Sequence, residues 1–157
     1  MDDHSEATLK LSTTSAGSTG TRVLLHSARN QVAEHASRAR QLSRARREAL
    51  ARAKARLDPL ALYPRPVSLR HVRILVTPWL FRLPWFRRFD GYALHVAILL
   101  RSSRASDELI VHELCHVWQL QHRPLSMPLS YLVRGYERNP YELEARQAAE
   151  TTRMEPR

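Results

Sequence analysis

A mixed α+β fold is predicted by three features of the 157-residue chain. Residues 21–57 are rich in alanine and arginine and contain no glycine or proline, a composition that favours helix. Residues 67–100 hold two apolar, partly β-branched runs separated by the turn signal Asp90-Gly91, which reads as a short twisted sheet. Residues 106–152 return to helical patterning, interrupted at Arg123-Pro124 and restarted at Asn139-Pro140. The expected organisation is a disordered leader over 1–20, a basic helix over 21–57 and a small α+β domain over 58–157.

Taken in order, the leader is Ser, Thr and Gly-rich, with too little apolar surface to offset the entropy of ordering. In the basic helix, Leu50, Ala53 and Leu57 recur at helical spacing, and Leu42, Ala45 and Ala49 form a weaker second stripe. Its C-terminal half is therefore the part expected to pack on the domain. Asp58-Pro59 and Tyr63-Pro64-Arg65-Pro66 end the helix, because each proline removes a donor and pushes its predecessor towards extended geometry. Val67 to Val76 reads as one strand and Tyr92 to Leu100 as another in the same sheet, directly paired or one strand apart. Between them, Trp79, Phe81, Trp85, Phe86 and Phe89 form an aromatic cluster suited to an interaction surface or a core-filling hairpin. Ser106 as N-cap and Asp107-Glu108 in the first turn predict a helix from 107 to about 121. A short apolar piece follows from Met127 to Val133, and Asn139 as cap with Pro140 at the first helical position predicts a last helix to about Thr152.

Charge and cysteine usage narrow the setting. The single cysteine, Cys115, rules out an internal disulfide framework and makes the cytoplasm the expected compartment. The N-terminus lacks the basic and apolar regions of a secretory signal, and the longest charge-free apolar stretch, Gly91 to Leu100, falls short of a membrane span. The net charge of +10 suggests a polyanionic partner at first sight. Residues 21–57, however, carry ten basic and two acidic residues, so most of the excess sits in the basic helix. Nucleic acid or an anionic membrane is thereby reduced to a candidate partner of that helix, with no recognised motif beside it.

The chemistry concentrates at His112-Glu113-Leu114-Cys115-His116. Histidines at i and i+4 stand one above the other on a helix face and can chelate one metal ion, while the adjacent glutamate can take a proton from an attacking water. A chain of this composition shows the pattern by chance with a probability of roughly 0.03, so its setting matters. The helix carrying it is capped and apolar around the motif, and two buried histidines there require partners. A third ligand is expected downstream, from the helix opened by Asn139-Pro140, whose Ala145, Ala148 and Ala149 allow close approach. Glu142 and Glu144 lie about 200° apart on that helix, so one of them faces the metal, and periodicity leaves the choice open. Cys115, turned off the line joining the histidines, reads as a small buried apolar residue. His71 and His95 read as strand histidines satisfied by neighbours; His4, His26 and His35 carry no spacing signal.

His112-Glu113-x-x-His116 followed by Asn139-Pro140-Tyr141-Glu142-x-Glu144-Ala145 resembles the small bacterial gluzincin-type zinc metallopeptidases over roughly residues 67–152. In that pattern the ligand glutamate is followed three residues later by alanine and four later by Asp or Asn. Glu142 meets the first condition through Ala145 and departs from the second at Arg146, so the resemblance implies Glu142 as third ligand, with Glu144 the alternative, and leaves the orientation of a zinc histidine to another group. It implies a zincin-like domain, one zinc ion per chain, Glu113 as general base, and a peptide or protein substrate hydrolysed by a metal-activated water. It also implies that the strand before the motif helix, Tyr92 to Leu100, binds substrate by strand addition. Tyr131, Tyr136, Tyr141 and His122 are the candidates for steadying an oxyanion. Two other functions fit parts of the sequence: a non-catalytic zinc-stabilised domain that binds a peptide or protein, and a basic nucleic-acid or membrane-surface binder.

Overall fold

The computed structural model describes residues 18–153, with side chains from residue 29 onward. The leader expected over 1–20 thus falls outside the described residues up to residue 17, and its last three residues open the first helix. The element order is α1 (Ser18–Leu57), β1 (Arg73–Val76), β2 (Gly91–Leu94), β3 (Ala97–Leu100), α2 (Asp107–His122), α3 (Ser126–Arg134) and α4 (Pro140–Arg153). Among the described residues the fold is mixed α+β, with four α-helices and one three-stranded sheet, and no helix there is long and apolar enough to cross a membrane.

The chain divides into two units within α1, after Gln41. In the first unit, residues 29–41 are exposed on every side of the helix, as expected of a stretch with no large apolar stripe. In the second unit, Leu50, Ala53 and Leu57 are buried in the core with Val67, Ile74, Ile98, Val111 and Leu114. Each large apolar side chain so buried contributes about 1.5–3 kcal/mol relative to exposure. The weaker stripe reaches the core only at Ala49; Leu42 and Ala45 remain exposed. Residues 42–57 therefore belong with the α+β domain, which the expected boundary at residue 58 had placed apart from it. Past Pro59 the chain leaves the helix through a left-handed Ala61 at φ 46°, and Lys54 straps the exit by binding Asp58 (2.7 Å) and the Val67 carbonyl (2.8 Å).

Both expected strands are shorter than their apolar runs. Val67 to Val72 is not a strand: Val72 N–H donates to the Leu69 carbonyl (3.1 Å), turning the chain at Arg70 and His71, so only Arg73–Val76 reaches the ladder. Tyr92 to Leu100 is likewise not one strand but a hairpin, β2 and β3, folded at His95-Val96. His71 and His95 therefore sit exposed in turns, not in strands as their alternation suggested. The sheet order is β1-β3-β2, with β3 parallel to β1 and antiparallel to β2. β3 is thus central, and β2 is an edge strand lying along α2.

The helices fall where their local signals placed them. Ser106 accepts from Leu109 N–H (3.1 Å) at the start of α2, and Asn139 accepts from Tyr141 N–H (3.0 Å) at the start of α4. Ala145, Ala148 and Ala149 are buried and let α4 pack directly on α2. That contact, together with β2, frames the motif.

Candidate metal centre

His112 and His116 project from α2 with their Nε2 atoms 3.1 Å apart, one turn separating them. Glu142 reaches in from the first turn of α4, its Oε1 3.4 Å from His112 Nε2 and its Oε2 3.2 Å from His116 Nε2. One donor atom from each of the three lies within 4.8 Å of the others, the only such group of three or more metal-ligating side chains among the described residues. The donor set suits a divalent cation such as zinc: two imidazoles and one carboxylate, with no fourth donor joining the group among the described residues.

The network behind the histidines fits that role. The Gln119 amide nitrogen lies 2.8 Å from the Tyr141 carbonyl oxygen and 2.9 Å from Glu144 Oε2, both of which can only accept. The amide N–H groups are thereby committed, so the Gln119 oxygen faces His116 Nδ1 at 2.7 Å and must accept from it. A proton on Nδ1 leaves the Nε2 lone pair for a metal, the tautomer a ligand histidine requires. Tyr63 O–H in turn donates to Glu144 Oε2 (2.7 Å). Glu144 therefore stands away from the metal-facing atoms, anchoring the residue that orients His116.

Burial shapes the electrostatics. Glu142 is 1% exposed; burial pushes its carboxyl up, but hydrogen bonds from His112 and His116 outweigh this and hold it well below the usual carboxylate range. His116 is pushed down by burial and, more strongly, up by its hydrogen bond to Glu142, the charge of Glu113 and the bond to Gln119, ending above an ordinary histidine. Arg146, the departure from the family pattern, stacks within 5.7 Å of the Tyr136 ring and places its Nε 3.0 Å from Glu142 Oε1. It sets a cation against the Glu142 carboxylate, where the gluzincin pattern has Asp or Asn.

Glu113 lies buried beside this cluster, and burial raises its carboxyl despite the pull of His116 and His112. Its side chain packs against Gly91, where an added Cβ would stand 2.5 Å from Oε1. Both line a cleft of about 450 Å³ together with His112, Glu142, Tyr136 and Arg88. Of the four oxyanion candidates, Tyr136 O–H donates to Glu142 Oε1 (2.9 Å) and Tyr131 O–H approaches Oε2 (3.4 Å). Burial, then the bond to Glu142, pushes Tyr136 up to about 12, which keeps it a donor at neutral pH. The other two are elsewhere: Tyr141 O–H pairs with Ser126 (3.1 Å), and His122 stacks on Tyr63 at 5.0 Å with Nδ1 on the Trp118 carbonyl. Cys115 is fully buried, and burial pushes its thiol up, leaving a small inert side chain.

Two contributors, Gln119 and Gly91, lie outside the His112–His116 motif. Gln119 carried a usable signal, a polar residue at i+3 from His116 on an apolar helix. Gly91 has only the signal of a turn residue in the sequence, and in the fold it is also where the sheet meets Glu113. The chain matches no protein-family model, no curated protein and no solved structure.

Proposed function

We propose that this protein is a zinc-dependent metallopeptidase with a zincin-like domain. One observation carries the reading: donor atoms of His112, His116 and Glu142 gather within 4.8 Å of one another beside Glu113, on the wall of a cleft of about 450 Å³. When bound, zinc supplies Lewis-acid activation of a water and of the substrate carbonyl. Glu113 takes the proton of the attacking water on its carboxylate and later delivers one to the departing amine, a role helped by burial, which raises its affinity for a proton. Tyr136 stands at the cleft wall with its O–H on Glu142 Oε1 (2.9 Å), and on turning from that carboxylate it becomes a donor for a developing oxyanion. Gln119 and Glu144 fix the tautomer of His116, and Gly91 leaves the space Glu113 occupies.

The substrate reading narrows from Tyr92 to Leu100 to β2 alone. β3 has both edges paired, whereas β2 has one free edge running past Gly91 and Glu113, suited to strand addition by an extended peptide. The decisive experiment is Glu113→Gln assayed on a peptide library. Cleavage by the wild type should fall below detection in the variant while zinc content stays constant. Equal activity in the variant overturns the role of Glu113, and a zinc-loaded wild type that cleaves nothing favours a non-catalytic peptide-binding domain.

A further inference from the structure

The segment between β1 and β2, residues 77–90, exposes large apolar side chains on a well-braced scaffold. Successive backbone bonds tighten it, Leu80 N–H to the Thr77 carbonyl (3.0 Å), Leu83 to Leu80 (3.1 Å), Phe86 to Leu83 (3.0 Å) and Phe89 to Phe86 (3.0 Å). Phe81 is buried and pins the loop from within, its ring 5.5 Å from the Arg101 guanidinium. Arg101 also donates to the Phe89 carbonyl (3.0 Å) and pairs with Asp90 (3.2 Å). On this frame Trp79 is 64% exposed, Leu83 43% and Trp85 83%, and Pro78 and Pro84 stiffen their bases. The exposure is therefore held in place by bonding and packing. Water solvates such a surface poorly, so its burial by a partner is favoured.

The polar residues around it specify the partner. Arg82, Arg87 and Arg88 stand exposed among the aromatics, and none has a carboxylate partner among the described residues. Asp90, the loop's one acid, is occupied by Arg101. Tryptophan settles at the headgroup boundary of a bilayer, leucine enters the acyl region, and arginine binds anionic headgroups. Tryptophan and arginine also serve single-stranded nucleic acid, but Leu83 offers a base no stacking face. We propose that the 77–90 loop docks on a membrane surface rich in anionic phospholipid, with Trp79, Leu83 and Trp85 inserted at the interface and Arg82 and Arg87 on the headgroups. This stands independently of the peptidase reading. Its consequence for the site is positional: Arg88 and Phe89, at the end of the same loop, line the cleft that holds Glu113, so docking brings the cleft mouth to the lipid surface.

The chain's three tryptophans make the test internal, because Trp118 is 1% exposed and serves as a silent reference. Vesicles of equal parts phosphatidylglycerol and phosphatidylcholine should shift the emission of the full chain to the blue, and brominated acyl chains should quench it. Vesicles of phosphatidylcholine alone should do much less. Trp79→Ala/Trp85→Ala should abolish the shift with the melting curve unchanged, and Arg82→Glu/Arg87→Glu should weaken vesicle binding by at least about tenfold. No response to anionic vesicles overturns the proposal. So does unchanged cosedimentation of the double tryptophan variant, which would assign vesicle binding to the basic helix, and so does quenching by single-stranded DNA with none by vesicles.

Discussion

Replacing Gly91 by alanine tests the contact between the sheet and Glu113, the proposed general base. The new Cβ would lie 2.5 Å from Glu113 Oε1 and 2.8 Å from both Cδ and Cγ. Ordinary carbon contacts begin near 3.5 Å, so the overlap is about 1 Å. Gly91 is held in β2 by its pairing with Leu100, and Cγ lies close to the root of the glutamate, so the whole carboxyl arm must retreat. A displacement of about 1 Å at a reacting group costs about a hundredfold in rate, or about 2.7 kcal/mol. The packing penalty adds about 1–3 kcal/mol to the folded state without touching His112, His116 or Glu142. The assay is kcat/KM on a cleaved peptide, paired with zinc analysis and a thermal melt. The expected result is a rate lower by about a hundredfold at constant zinc content; a rate within about twofold of wild type would refute the placement of Glu113 as base.

Gln119→Leu removes the acceptor for His116 Nδ1 and frees the imidazole to turn or to change tautomer. Zinc affinity should fall by about 10- to 100-fold in a chelator competition, and unchanged affinity would show that Gln119 does not orient the ligand. The pH dependence of zinc binding follows from His116, whose folded pKa is raised. In the metal-free protein its stabilising pairing is fully present below the unfolded histidine value and is lost as pH rises through the folded one; the Glu142 contribution, with a lowered pKa, is present above the unfolded carboxylate value and lost as pH falls through the folded one. Zinc must displace the His116 proton, so apparent affinity should climb by up to about tenfold per pH unit and keep climbing past about 6.5 before levelling. A titration that is already level at pH 6.5 would contradict the raised value.

How far the sequence carried the fold depended on how local each signal was. Ser106, Arg123-Pro124 and Asn139-Pro140 act within a turn of their own position, and the helices they bound lie within a residue or two of expectation. The strands were less legible because a ladder is set by its partner. Gly91 to Leu100 is one apolar run, and its fold at His95-Val96 contains neither glycine nor proline to mark it. Val67 to Val72 has the composition of a strand but no neighbour to pair with. In the site, His112 and His116 could be paired from helical spacing alone. Glu142 and Glu144 could not be ranked by it, because both reach buried partners, one at the metal-facing atoms and one at Gln119. That division of labour exists only once α4 is laid against α2.

The metal content of purified protein and two variants tests the site of His112, His116 and Glu142 most directly. One zinc per chain is expected in the wild type and in Glu113→Gln, and near-complete loss in Glu142→Ala at the same protein fold by circular dichroism. Zinc retained at one per chain in Glu142→Ala, or none in a correctly folded wild type given excess zinc, would contradict it.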